Sequence, residues 1–210
     1  DAADLETLCE AMRGVDIVYH FASNPDISQA AVRPDLDFWQ GTLLTQNVLE
    51  AARKSGAKKI IYASGSGVYG DNGEAILRED HPRMRPVSTY GASKLACEAM
   101  ICAYCHLFEM SGAAARFANV VGPRQTHGVC YDLVRKLLKD PTRLEVLGDG
   151  HQSKSYLYIS DAISALRLME KLTIKGFSAY NVATSDYVEV KEIAEMVREV
   201  MGLDEAEIIY

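Results

Sequence analysis

Apolar residues along this chain fall into two kinds of run. Short, β-rich stretches with little alternation, VDIVYHF (15–21), KKIIYAS (58–64), GAAARFAN (112–119) and FSAYNVA (177–183), predict strands covered on both faces. Between them, apolar positions recur at helical spacing over 35–55, closed by Gly56; 88–110, closed by Gly112; 129–139, closed by Pro141; and 160–171. A further helix, 188–201, follows the last strand. Strand and helix in alternation imply right-handed crossovers, so the fold class expected is α/β, a doubly wound parallel sheet. After about residue 120 loops and short strands (LEVLG, SYLYI) become more frequent. This marks 124–210 as a smaller portion beside 1–123, with 160–190 returning to the sheet.

The two ends change the picture. DAADLETLCEAMRG reads at once as a helix, with Asp4 to cap it and Gly14 to end it, and DEAEIIY stops at what looks like the start of a strand. The expectation is a chain truncated at both ends. Its 210 residues are 48% hydrophobic and carry a net charge of −7, with the 22 basic residues scattered. No basic stripe exists to follow a row of phosphates, so nucleic acid is not an expected partner. The apolar runs fall short of the roughly 18 residues of a membrane span, and no signal peptide is present. Five cysteines, an odd number, point to a reducing, cytoplasmic compartment. CAYC (102–105) has the letters of a redox or metal pair, but it lies deep inside a helical stretch without a second ligand pair, and reads as small residues on a helix face.

GSGVYG (65–70) has the letters of a phosphate-cradling glycine loop. Such a loop must lead into a helix, whose N-terminal N–H groups and dipole hold the anion. Here DNGEAILRED follows, with no helical period, and the acidic residue expected about 20 positions on would fall in HPRMRPVST, which is no strand. The segment is a look-alike.

STYGASK (88–94) carries the chemistry. Tyr90 and Lys94, four apart at the start of a helix, share one face. A tyrosinate can take a proton from an alcohol, but bringing a phenol from about 10 to near 7 requires about 4 kcal/mol. An ammonium at about 4 Å supplies about that much at an effective dielectric near 20. The spacing is weak alone, and YVEVK (187–191) repeats it after the late strand, where Tyr187 reads as a packing residue at the helix start.

Taken in order, HFAS (20–23), ASGSGVYGD (63–71), YGASK (90–94), RFANVVGPRQ (116–125) and GDGHQSKSYLYISD (148–161) resemble the extended short-chain dehydrogenase/reductases, specifically their NAD-dependent nucleotide-sugar epimerase/dehydratase group. The resemblance covers nearly the whole chain and is strongest to the 4-epimerases of UDP-glucose of the shorter, archaeal-like type. It implies a Rossmann-like fold with NAD bound to the 1–123 portion, a UDP-sugar substrate on the C-terminal portion, and a homodimer formed through helices 35–55 and 88–110. The first strand with the true glycine loop, and the C-terminal end, are missing from the pattern. By resemblance Tyr90 is the catalytic base and Lys94 its partner. Asp1 and Ala2 line the adenine, and Phe21, Ala22, Ser23 and Ser64 wall the cofactor site. Asn119 and Lys154 hold the substrate diphosphate, and Val146 and Leu147 the nucleotide base. Simpler roles stay open: a turn cap for Asn119, a solvated charge for Lys154, and core for Val146 and Leu147.

The family places a proton-shuttling Ser or Thr three residues before the Val of V-Y-G. Here that residue is Gly65, flanked by Ser64 and Ser66, of which Ser66 is the candidate replacement. Dehydrating relatives carry acidic residues at the positions of Ser66 and Gly67, and neither is acidic here. The resemblance therefore implies C4 epimerisation of a UDP-hexose. Another nucleotide-sugar oxidoreductase, an epimerase of UDP-N-acetylhexosamines, or a non-catalytic nucleotide-sugar sensor remain the alternatives.

Overall fold

The structure, a computed structural model, describes residues 1–25, 29–30, 32–73 and 75–210. It divides into two compact units, Asp1–Phe117 with Ala162–Val182, and Ala118–Asp161 with Ala183–Tyr210.

The first unit is built on four strands, β1 (Ile17–His20), β2 (Lys59–Gly65), β3 (Ser111–Phe117) and β8 (Phe177–Val182), in the order β1-β2-β3-β8. All three pairings are parallel. Helix α1 (Leu5–Ala11) is capped by the Asp4 carboxylate, which accepts from the N–H groups of Glu6 and Thr7. Helix α2 (Leu44–Ser55) continues from a π-helical turn, Phe38–Leu43, and ends at Gly56 in the left-handed conformation that glycine adopts at least cost. Helix α3 (Thr89–Leu107) starts at Ser88, whose hydroxyl accepts from Gly91 N–H at 3.0 Å. Behind it Cys97, Ile101 and Cys105 pack with Val48, Leu49, Ile60 and Ala114 into the core. The all-alanine middle of β3, Ala113 to Ala115, is fully buried.

Gly112 does not close α3. The helix ends at Leu107, Glu109 makes the left-handed turn at φ 56, and Gly112 lies inside β3. A Cβ there would stand 2.8 Å from both Cys105 Sγ and Ile101 Cγ2, so glycine is required by the close approach of helix to strand. GAAARFAN also divides: β3 stops at Phe117, and Asn119–Val121 forms β4 of the second unit.

In the second unit, β4 pairs parallel with β7 (Tyr156–Tyr158), β5 (Arg143–Glu145) with β10 (Glu207–Ile209), and β6 (Ser153–Lys154) antiparallel with β9 (Val188–Glu189). Helices α4 (Val129–Lys139) and α6 (Val190–Val200) bury Leu133, Leu137, Ile193 and Ala194 against Leu144, Val146 and Ala206. Tyr187 precedes α6 without joining it and is 64% exposed, so it is no packing residue. Helix α5 (Ile159–Lys171) enters the first unit at Ala162. Among the described residues no helix is long and apolar enough to cross a membrane.

Candidate active site

The first turn of α3 carries Tyr90, and one turn later Lys94 points the same way. Lys94 is 4% exposed, and its Nζ donates to the Ala63 carbonyl at 2.7 Å and to Ser23 Oγ at 3.1 Å. It also sits over two aromatic faces, 4.9 Å from the centre of the Tyr62 ring and 5.4 Å from that of Tyr90. The pair therefore stands at the C-terminal ends of β1 and β2, the end of an open parallel sheet where ligands bind. Beneath it, His20 Nε2 meets Thr45 Oγ1 at 2.8 Å, and the His20 ring lies 5.3 Å from Tyr62. Burial, then Lys94, pushes this imidazole down to about 4, so it is neutral at physiological pH.

Spacing alone suggests an ammonium that lowers the phenol of Tyr90, and the geometry corrects this. Burial first, and then the charge of Asp37, hold Tyr90 above its ordinary range. The Lys94 ammonium faces the ring and spends its bonds on Ala63 and Ser23, and burial takes it down to about 8. In the chain alone Tyr90 is a protonated phenol.

GSGVYG has no phosphate-binding helix. Ser66–Val68 is a single 3-10 turn, and Gly70, at φ 77, bridges in parallel to Arg85, whose carbonyl a Cβ at Gly70 would strike. The Gly67 carbonyl lies where a Cβ on Gly91 would collide with it, so the loop presses against α3 one residue beyond Tyr90. Ser66 is exposed on this loop. Ser64 faces the other way: buried at 4% exposure, it donates to Glu98 Oε1 at 2.5 Å, which removes it as a free hydroxyl for either cofactor or proton. Gly65 has open space beside it, its nearest neighbour a carbonyl 3.9 Å from a Cβ.

A buried network absent from the sequence reading fixes this loop. Arg116 donates from Nη2 to Glu98 Oε2 at 2.7 Å and from Nη1 to Tyr69 OH at 2.9 Å. Tyr69 OH donates in turn to Asn181 Oδ1 at 2.6 Å, and Asn181 N–H to Glu79 Oε1 at 2.8 Å. One ion pair thus ties α3, β3, β8 and the GSGVYG loop together. Its signal in the sequence was faint: a Glu one turn after Lys94 and an Arg in an apolar strand.

The remaining candidates are more peripheral. Phe21 is 53% exposed and Ala22 is exposed, just beyond β1. Asp1 and Ala2 lie before α1, with Asp1 Oδ1 accepting from Ala3 N–H and the Ala2 carbonyl from Asn47 Nδ2. In the second unit Asn119, exposed, donates to the Ser155 carbonyl at 3.2 Å, and Lys154 is exposed on β6. Val146 is core, whereas Leu147 next to it is 79% exposed. Among the described residues no group of three or more His, Cys, Asp or Glu could hold a metal ion, and Cys105 of CAYC is pushed up to about 11 by burial.

Known proteins can now be set beside this geometry. Residues 1–183 match the model of the NAD dependent epimerase/dehydratase family. A Methanocaldococcus jannaschii protein, provisionally named UDP-glucose 4-epimerase, is 32% identical over 195 residues; the match covers 90% of this chain, which spans 62% of that protein's length. A crystal structure of a UDP-galactose 4-epimerase is 40% identical with a TM-score of 0.87, covering 99% of this chain and 68% of its own. The Thermus thermophilus UDP-glucose 4-epimerase, solved in complex with NAD, is 30% identical with a TM-score of 0.87, covering 100% and 70%. With its Tyr90–Lys94 pair at the strand ends and a family match over most of its length, the chain belongs to the NAD dependent epimerase/dehydratase family.

Proposed function

We propose that the protein is an NAD-dependent epimerase that inverts C4 of a UDP-hexose, interconverting UDP-glucose and UDP-galactose. The observation that carries the reading is the buried Lys94 beside Tyr90. Two of its three donors go to Ala63 and Ser23, which leaves the third for a sugar hydroxyl. That donor, the exposed Phe21 and Ala22 beyond β1, and the open flank of Gly65 fit the nicotinamide-ribose end of NAD. No described glycine turn leading into a helix fits its pyrophosphate. When bound, NAD supplies the acceptor for the C4 hydride. Lys94 holds the ribose by its free donor. Tyr90, acting as its phenolate, takes the proton from the sugar O4 hydroxyl and returns it, and Ser66, the exposed hydroxyl of the loop, relays it. Asn119 and Lys154 hold the diphosphate, and the exposed Leu147, next to the core residue Val146, flanks the base. Asp1 and Ala2 belong to the adenine end. A homodimer through α2 and α3 and a cytoplasmic location complete the reading.

Two names among the relatives support it, a UDP-galactose 4-epimerase at 40% identity and an NAD complex at 30%. The uncharged Ser66 and Gly67 favour epimerisation over elimination. Gly65 in place of a hydroxyl favours the second reading, a sensor that binds nucleotide sugar without turnover. The test is to incubate the intact protein with UDP-glucose, UDP-galactose, UDP-N-acetylglucosamine and dTDP-glucose and separate the products. A C4 epimer from a UDP-hexose is expected. A 4-keto-6-deoxy product would assign dehydration instead, and tight binding without any product would assign the sensor.

A further inference from the structure

Asp37 is among the most deeply buried side chains of the chain, at 2% exposure, and forms no ion pair among the described residues. A carboxylate buried without a cationic partner is costly and calls for a reason. Its bonds converge on the catalytic turn. Oδ2 accepts from Thr89 Oγ1 at 2.7 Å, one residue before Tyr90; Oδ1 accepts from Asn24 Nδ2 at 2.8 Å, in the loop after β1; and its backbone carbonyl accepts from Ser93 Oγ at 2.8 Å, one residue before Lys94. It stands immediately before the π-helical turn Phe38–Leu43, and such turns are enriched at functional sites.

We propose that Asp37 is a positioning residue for the Tyr90–Lys94 pair, clamping the first turn of α3 onto the loop after β1 and setting by its negative charge the protonation of Tyr90. The geometry separates these two effects. The clamp runs through neutral hydroxyl and amide donors, which an uncharged isostere can replace. The charge cannot be replaced in that way: it adds to burial in opposing ionisation of the phenol, and at Lys94 it favours the ammonium against the larger effect of burial. Other groups around the pair cannot supply the same field. His20, on β1, is neutral; Tyr62, on β2, is driven strongly upward by burial; and Glu98, on α3, is paired with Arg116. With burial and the nearby Asp37 both opposing its ionisation, Tyr90 stays protonated until a bound group adds positive charge. On the proposed epimerase reading, which this inference extends, the base is thereby armed only when the cofactor is in place.

The test is a titration of Tyr90 in the intact protein, labelled with ¹³C at the tyrosine ζ carbon, the signal identified by its loss in Tyr90→Phe. Asp37→Asn keeps the shape, accepts from Asn24 and donates to Thr89. Its Tyr90 midpoint is expected to fall by about half a pH unit or more, as removal of a nearby like charge requires. Thr89→Val keeps the charge and cuts the clamp; it is expected to leave the midpoint within a few tenths of wild type while lowering turnover. If Asp37→Asn does not fold, Asp37→Ser, smaller and also uncharged, carries the same expectation. An unmoved midpoint in the uncharged variant, or an equal fall in Thr89→Val, would overturn the proposal. Because the midpoint is read without turnover, failure of the epimerase reading, seen as no product from wild type, is a separate result.

Discussion

Lys94 is a residue the fold would be more stable without, and the size of that penalty can be worked out. Burial takes it from 10.5 in the unfolded chain to about 8 in the folded one. At about 1.4 kcal/mol per pH unit the penalty amounts to roughly 3 kcal/mol. Its sign follows from proton counting. Below about 8 both states hold the proton and the folded state bears the whole penalty. Between about 8 and 10.5 the unfolded chain keeps a proton that the folded one has lost, so stability rises with pH. The perturbation is Lys94→Met, which keeps an unbranched side chain and removes the charge. Its loss of the bonds to Ala63 and Ser23 costs about 1 kcal/mol each but does not change with pH. Urea unfolding of both proteins at a series of pH values, each without added nucleotide, gives the difference in stability. Wild type should gain about 3 kcal/mol on the variant between pH 8 and 10.5, other titrating groups cancelling in the difference. A difference that stays flat over that range would mean that Lys94 titrates as if in water, and the buried-ammonium account of the site would fall with it.

Other changes test the loop, the packing and the ion pair. Ser66→Ala should slow turnover about tenfold, equal to about 1.4 kcal/mol, and Gly65→Ser, which has room for its side chain, should restore it; normal turnover in Ser66→Ala with no gain from Gly65→Ser would remove every loop hydroxyl from the mechanism. Gly112→Ala puts a Cβ 2.8 Å from Cys105 Sγ and Ile101 Cγ2, and should cost about 1–3 kcal/mol by urea unfolding; an unchanged midpoint would show that helix and strand separate freely. Glu98→Ala leaves Arg116 buried and unpaired, and should cost about 3–5 kcal/mol; a loss under about 1 kcal/mol would mean that water already reaches the guanidinium.

Elements whose signal is local were legible in the sequence. Asp4 caps α1, Gly56 ends α2, and the four β-rich runs supply the four strands of the main sheet. Failures came where a partner distant in the chain decides. Gly112 looks like a helix stop because glycine commonly ends helices, but here helix packing on the sheet demands it. The break at Ala118, which sends Asn119 into another sheet, has no glycine or proline to announce it. Of the site, the Tyr90–Lys94 pair was visible because helical spacing fixes it. Asp37 was not, since its three partners come from separate places in the sequence. Neither were Glu98 and Arg116, which are 18 residues apart and meet only when α3 folds over β3. The acidity of Tyr90 was misjudged for a related reason: spacing shows the nearby charge and hides the burial, and burial is the larger effect.

The central claim is that Tyr90 moves the proton of the reaction. Turnover of UDP-glucose to UDP-galactose by intact Tyr90→Phe, compared with wild type at matched NAD content and with unfolding followed in parallel, tests it most directly. Removing one hydroxyl from a half-buried ring leaves the core untouched, so stability should hold while turnover falls by about 10²–10⁴-fold or more. Turnover within about threefold of wild type, well short of the tenfold that about 1.4 kcal/mol represents, would contradict the assignment and leave the Tyr90–Lys94 pair without a catalytic role.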